Sequence, residues 1–317
     1  MFAPAIVVDH LVKTFESRGR TVRAVDDLSF TVQRGSIFGL LGPNGAGKTT
    51  TLKIMTTLAR PTAGQVAVLG HDVVRAPLDV RRQIGVVIQE QAADLLLDVR
   101  DNLLTFARFH GRAGSSVRAR ADEVMAQFGI ADVADRKVQD LSGGVRRRVQ
   151  VAKMFLVDVP IVFLDEFSTG MDPILKRSVM ELLRAQAARG RTIVLTTQIL
   201  AEAEELCDDI LIINKGRRIA HGNLHALKLL TEQRYEVTLA FDHVPESLDR
   251  IVSAYAPEAM AVVHNTVQLR LHQEEARVLE LVAELARLGR ILRIEIAGPS
   301  LEDVFVDLTR QPKEVTS

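Results

Sequence analysis

Apolar residues along this 317-residue chain follow two kinds of pattern, and the change from one to the other divides it. In the first part the apolar runs are short and continuous. Ser36-Ile37-Phe38-Gly39-Leu40-Leu41, Ile84-Gly85-Val86-Val87-Ile88 and Ile161-Val162-Phe163-Leu164 have no polar face, which predicts strands buried on both sides, as in a parallel sheet. Thr49-Thr50-Thr51-Leu52-Lys53-Ile54-Met55 reads as a helix that follows the first of them. After Gly222-Asn223-Leu224 the pattern turns to alternation: Tyr235, Val237, Leu239 and Phe241, then Val267, Leu269 and Leu271, then Leu292, Ile294 and Ile296. Alternation predicts strands with one face in water. Ala276, Leu279, Val282, Leu285 and Ala286 space a helix over Glu274–Leu288; a short helix near Glu246–Ser253 and a strand near Ala259–Val263 complete the order β-α-β-β-α-β. That order predicts a small α+β, ferredoxin-like domain.

Composition narrows the class. Lys plus Arg and Asp plus Glu number 40 each, so no overall field favours nucleic acid or an anionic membrane. No apolar run approaches the roughly 18 to 20 residues that span a bilayer, and Met1 to His10 lacks the pattern of a secretory signal. A cytosolic protein is expected, with any membrane work done by another chain. The single cysteine, Cys207, has no internal partner and reads as a packed small hydrophobe.

Candidate chemistry begins at Gly42-Pro43-Asn44-Gly45-Ala46-Gly47-Lys48-Thr49. This fits GxxxxGK[ST], in which backbone N–H groups surround phosphates, the lysine reaches the β- and γ-phosphates and the threonine hydroxyl meets Mg²⁺. A strand precedes the loop and a helix follows it, so the loop lies at a helix N-terminus that favours anions. Binding of a nucleoside triphosphate is the expectation. Ile161 to Leu164 carries Asp165 and Glu166 to the C-terminal end of a strand, where open α/β sheets bind ligands. Asp165 is placed to serve Mg²⁺ and Glu166 to polarise an attacking water. Leu141-Ser142-Gly143-Gly144 predicts a helix start with Ser142 as N-cap and exposed backbone N–H groups.

Taken in this order, the three segments resemble the ATP-binding subunit of an ABC transporter. Gln89, at the end of Ile84 to Ile88, resembles the Q-loop; Ser168-Thr169-Gly170-Met171-Asp172 resembles the D-loop; Phe15 in Leu11-Val12-Lys13-Thr14-Phe15 resembles the aromatic that stacks on adenine. The fold implied is α/β, a P-loop NTPase of the ABC ATPase kind over residues 1–225 with a helical subdomain around 90–150. A linker over 226–233 and the ferredoxin-like domain over 234–317 follow. The resemblance implies ATP and Mg²⁺ as ligands: phosphate contacts from Gly42, Pro43, Asn44, Gly45, Ala46, Gly47, Lys48, Thr49 and Thr50, and Mg²⁺ contacts from Thr49, Gln89 and Asp165. Lys48, Glu166 and Gln198 are the implied catalytic positions. It also implies a second ATPase subunit, identical or different, because Leu141, Ser142, Gly143 and Gly144 complete the site of a partner and Asp172 lies in the D-loop between them.

Pro299-Ser300-Leu301-Glu302-Asp303-Val304-Phe305 and the residues to Thr309 resemble the closing helix of the daunorubicin-resistance type, which implies export through ABC-2 type membrane subunits at the cytoplasmic face. Leu95-Leu96-Leu97 lies where that family meets coupling helices, and a helical-subdomain core is the other reading. Gln198, after Val194-Leu195-Thr196-Thr197, stands where the family has a histidine; an amide donates a hydrogen bond but carries no charge. Slow hydrolysis is one expectation; the other reading is that glutamine substitutes adequately because Glu166 is still the base. Val145 and Phe167 also depart from the pattern, in place of a glutamine and a proline. Arg146-Arg147-Arg148 reads as solvated or ion-paired rather than as a nucleic-acid contact. The competing readings are an ABC ATPase that works without a transporter and a slow-turnover nucleotide-dependent regulator; no second P-loop or sustained heptad segment supports the former.

Overall fold

The computed structural model describes residues 3–17, 20–88, 93–230 and 234–310, and it divides into two compact units, Met1–His221 and Gly222–Ser317. The first unit begins β1 (Ile6–Ser17), β2 (Arg20–Val32), β3 (Ile37–Leu41), α1 (Lys48–Met55), β4 (Ala63–Val68), β5 (His71–Asp72), α2 (Pro77–Arg82) and β6 (Ile84–Val87). It continues with α3 (Val99–Phe109), α4 (Ser115–Gln127), α5 (Gly143–Ala152), β7 (Ile161–Asp165), α6 (Pro173–Ala188), β8 (Thr192–Thr197), α7 (Leu200–Leu206), β9 (Asp209–Asn214) and β10 (Arg217–Gly222).

A six-stranded sheet in the order β10-β9-β3-β8-β7-β6 holds the predicted apolar runs. Each residue of β3, β7 and β8 is buried, which explains why their sequences lack alternation: both faces are covered. Strand β3 pairs in parallel with β8 and β9, and β7 pairs in parallel with β8 and β6. All these strands therefore end on one side. A second, antiparallel sheet, β2-β1-β4-β5, closes over part of the same core, where Phe30 stacks on Phe38 with ring centroids 5.4 Å apart. Helices α3, α4 and α5 lie within the stretch expected to form a helical subdomain.

The second unit holds α8 (Leu224–Lys228), β11 (Arg234–Phe241), α9 (Leu248–Ser253), β12 (Ala259–Val263), β13 (Thr266–His272), α10 (Glu275–Leu288), β14 (Ile291–Ala297) and α11 (Leu301–Arg310). Its four strands form an antiparallel sheet in the order β12-β13-β11-β14. With α9 and α10 as the crossovers this is the ferredoxin-like arrangement. Val237, Leu239, Val267, Leu269, Val278, Leu281 and Leu285 build its core, the inward half of each alternating pattern.

The boundary differs from the expected one. The units separate at Gly222, and part of the stretch assigned to a linker is helical because the Asn223 side chain accepts from Ala226 N at 2.8 Å and caps α8. Ser300 and Asp303 cap α11 reciprocally: Ser300 N donates to Asp303 Oδ2 at 2.9 Å, and Asp303 N donates to Ser300 Oγ at 3.2 Å. Among the described residues, no helix is long and apolar enough to cross a membrane.

Candidate active site

Parallel register brings the site together. Leu41, at the end of β3, pairs with Thr197 of β8, and Asp165, at the end of β7, pairs with Thr196 of β8. The loop from Gly42 to Gly47 and the pair Asp165 and Glu166 thus emerge from nearby strand ends. Gly47 caps α1 with φ 105°, and a Cβ there would meet the Ala24 carbonyl oxygen at 2.4 Å. Only glycine fits. Pro43, Asn44 and Gly45 are exposed, whereas Ala46 is buried, so the loop shows its backbone to solvent while its base is anchored.

Lys48 is buried, and its ammonium donates to the carbonyl oxygens of Gly42 at 2.7 Å and Pro43 at 3.1 Å. Burial pulls its pKa below the ordinary lysine value, and the negative charges of Glu166 and Asp165 work against that shift. Thr49 Oγ1 donates to Asp165 Oδ2 at 3.3 Å, and Thr196 Oγ1 donates to Asp165 Oδ1. Thr50 follows on α1 and is partly buried. The result is a cation, a hydroxyl and two carboxylates around a helix N-terminus, a set suited to a polyphosphate with a divalent cation.

Glu166 has φ 50°, in the left-handed region that non-glycine residues seldom adopt. Its N–H donates to the Thr196 carbonyl at 3.0 Å, which prolongs the β7–β8 ladder by one step. The turn that follows runs back into the fold, where Phe167 is fully buried. Proline at that position would fix φ but would remove this core aromatic.

Ser142 caps α5: Val145 N donates to its Oγ at 3.4 Å. Ser142 and Gly143 are exposed, and Leu141 is buried beneath them. Gly144 meets the D-loop so closely that a Cβ would lie 2.4 Å from the Gly170 carbonyl oxygen. Asp172 caps α6 through Leu175 N at 3.0 Å and pairs with Arg148 at 3.1 Å. The backbone bond from Leu175, and then the Arg148 guanidinium among smaller contributions, hold its carboxyl below the usual range. A cleft of about 510 Å³ opens between Gly143, Gly144, Glu166, Thr169 and Gly170.

Phe15 is 44% exposed on β1, with the Lys13 ammonium over its ring, 4.9 Å from the centroid. Gln198 follows β8 and is exposed. Gln89 lies outside the described residues. Leu96 is 71% exposed, while Leu95 and Leu97 are half-buried, so this triplet is not a closed core.

The ABC transporter family profile matches residues 25–169. The doxorubicin resistance ATP-binding protein DrrA of Mycobacterium tuberculosis is 38% identical over 318 residues, 98% of this chain and 95% of the relative. The chain belongs to the ABC transporter ATP-binding proteins, in the daunorubicin-resistance group. Daunorubicin resistance ATP-binding protein DrrA2 of Streptomyces coeruleorubidus is 39% identical over 96% of each chain. Nod factor export ATP-binding protein I of Burkholderia lata is 40% identical over 77% of this chain and 80% of the relative. Among solved structures, an ATP-binding subunit of an ABC transporter superposes with a TM-score of 0.66 at 27% identity, covering 71% of this chain and 92% of that chain. A dimeric ATP-binding cassette bound to ADP and phosphate shares the fold, with a TM-score of 0.65 over 69% of this chain and 98% of that one.

This ABC ATPase subunit is an ATP-driven motor; Glu202 was missing from the sequence reading, and the arginine run read there as solvated or ion-paired has a buried middle member that binds neutral oxygens instead. Arg147, the middle residue of the arginine run, turns inward: it donates to the Ile88 carbonyl at 3.0 Å, to Gln150 Oε1 at 2.8 Å and to the Asp165 carbonyl. One guanidinium therefore ties α5 to the strand leading toward Gln89 and to the peptide that joins Asp165 to Glu166. Burial draws its pKa down, and Asp165 and Glu166 oppose this. Glu202 accepts from Ser168 Oγ at 2.6 Å and from Thr197 Oγ1 at 3.1 Å, and Lys176 lies 3.2 Å away. It binds the end of β8, beside Gln198, to the turn after Glu166. The available signals were spacing alone: Gln150 on α5 and Lys153 just past its end repeat Arg147 every third residue, and Glu202 stands in the first turn of α7.

Proposed function

We propose that the chain is one half of a two-chain exporter motor: it pairs with a second ABC ATPase subunit, identical or different, and drives ABC-2 type membrane subunits from the cytoplasmic face. The observation that carries this reading is the convergence of Lys48, Thr49, Asp165 and Glu166 at one end of the parallel sheet. Lys48 and the N–H groups of the Gly42–Thr50 stretch, Pro43 having none, hold the phosphates, and Phe15 stacks on the adenine. Glu166 takes a proton from the attacking water as its oxygen bonds to the γ-phosphorus and the bond to the β-phosphate oxygen breaks, giving ADP and phosphate. Leu141, Ser142, Gly143 and Gly144 face the nucleotide of the partner, with Asp172 in the D-loop beside it.

The donor chemistry of this site fits Mg²⁺. Thr49 Oγ1 and the Asp165 carboxylate are hard oxygen ligands 3.3 Å apart, and no cluster of three or more His, Cys, Asp or Glu suited to a metal occurs among the described residues. Mg²⁺ needs no such cluster, since phosphates and water fill most of its octahedron. Gln89 is the third proposed contact. When bound, the ion neutralises charge on the β- and γ-phosphates.

The relatives named for doxorubicin and daunorubicin resistance support a hydrophobic, drug-like cargo. The test is accumulation of daunorubicin in cells that express this chain with its membrane subunits. The reading requires lower accumulation than in cells with the membrane subunits alone; equal accumulation contradicts this cargo. A second reading, a regulator with slow turnover, is favoured by Gln198, which supplies no positive charge beside the phosphates.

A further inference from the structure

Strand β14 is an edge. Within its sheet it pairs only with β11, and no other described strand lies against its outer side. Such edges are normally short, charged or covered, because their free N–H and C=O groups template pairing with another chain. Here the edge is seven residues long and largely exposed. Its register sets Ile294 opposite Leu239 and Ile296 opposite Val237, both core residues, so the two isoleucines stand on the helix-covered face of the sheet. Even so, they remain 52% and 37% exposed, and Leu292, beside the irregularity where Ala240 gives way to Phe241, is 61% exposed.

The order of side chains names the occupant. Leu292-Arg293-Ile294-Glu295-Ile296 is self-complementary when two copies run antiparallel about Ile294. Ile294 then faces Ile294, Arg293 faces Glu295 in both directions, and Leu292 faces Ile296. Opposite charges directly across two antiparallel strands favour pairing, and like charges oppose it. A two-fold axis through Ile294 satisfies each of these contacts at once, as an isologous interface requires. Any register shifted by two residues sets an arginine or a glutamate against an uncharged neighbour.

We propose that β14 is a homodimer edge: two copies of this chain join their C-terminal sheets into one eight-stranded sheet by antiparallel pairing centred on Ile294. This extends the proposed two-chain motor with a contact that needs no nucleotide, and it favours identical over different partners.

The experiment is sedimentation equilibrium of the full chain without nucleotide, where cassette closure does not contribute. The parent is expected to be dimeric at micromolar concentration, and Ile294→Lys and Arg293→Glu to weaken association at least tenfold. The double reversal Arg293→Glu with Glu295→Arg is expected to restore it. Because Arg293 and Glu295 also pair with each other along the strand at 2.8 Å, the Tm of each variant is measured too and is expected to stay within a few degrees of the parent while association changes. A monomeric parent overturns the proposal, as does a dimer that Arg293→Glu leaves intact or that the double reversal fails to restore. Loss of membrane-subunit binding in Ile294→Lys, with the parent monomeric, would assign the edge to that subunit instead. ATP binding by the parent and by Ile294→Lys is measured alongside: if the parent binds no ATP, the motor reading fails independently of the edge.

Discussion

At the residue scale the decisive position is Gln198. It follows a fully buried strand and is itself exposed, next to Thr197, whose hydroxyl is committed to Glu202. A neutral amide in that place can donate one hydrogen bond but cannot stabilise developing phosphoryl charge as a protonated imidazole does. Gln198→His in the assembled transporter is expected to raise steady-state ATP turnover by about tenfold, equivalent to about 1.4 kcal/mol in the barrier; an unchanged or lower rate contradicts this. Most residues of the site were legible because their chemistry demands rare types in fixed order: Gly47 admits no side chain, and Lys48 and Thr49 follow at the start of the helix. Arg147 was not legible. Three consecutive arginines on a helix point three ways, and only the tertiary placement of α5, which brings Arg147 to the Ile88 and Asp165 carbonyls, decides which one is buried. Glu202 escaped for the same reason, since an acid in the first turn of a helix is ordinarily a solvent-exposed partner of the helix dipole.

At the element scale, α5 carries more than its exposed N-terminus. Arg147, Gln150 and Lys153 form a buried polar stripe at three-residue spacing along the helix and just past its end. Arg147 holds the peptide before Glu166, and Lys153 donates to Asn102 Oδ1 at 3.2 Å. Asn102 in turn donates to the carbonyls of Asp94 at 2.8 Å and Asp98 at 3.0 Å. The helix thereby grips both sides of the segment that contains Gln89. Arg147→Met strands the Asp165 and Ile88 carbonyls and the Gln150 amide oxygen, and is expected to cost about 3 kcal/mol of stability. It is also expected to lower kcat while ATP affinity is kept; loss of affinity with an unchanged kcat would contradict a positioning role at Glu166.

Lys153 supplies a pH test of the same stripe. Burial lowers its pKa from 10.5 to about 8, so between those values the unfolded chain binds the extra proton and stability rises with pH. The Tm of the parent should therefore climb relative to Lys153→Met from pH 8 to pH 10.5. A difference that stays flat over this window contradicts the assignment. The single thiol behaves differently: burial pushes Cys207 up, which keeps it protonated and inert, the packing role its sequence position suggested.

At the scale of the whole molecule, two units with different apolar patterns were legible because burial on both faces and burial on one face leave different marks. Continuous runs became the parallel sheet and alternating runs the ferredoxin-like sheet. The boundary itself was less legible, since Asn223 reads equally as a loop residue and as the cap of a five-residue helix. The exposed edge at β14 was hidden too: Leu292, Ile294 and Ile296 alternate like a half-buried strand, and only the strand order shows that no described strand pairs beyond them. For the molecule, the proposed consequence is a motor in which the P-loop and catalytic acids of one chain meet the signature helix of another.

The most direct test is ATP-dependent daunorubicin uptake by inverted membrane vesicles that contain this chain with its membrane subunits, measured together with ATP hydrolysis for the parent and for Glu166→Gln. The account predicts that the parent hydrolyses ATP and takes up drug, and that the variant binds ATP but loses hydrolysis by at least about 100-fold, and uptake with it. Hydrolysis or uptake that survives in Glu166→Gln would contradict the account.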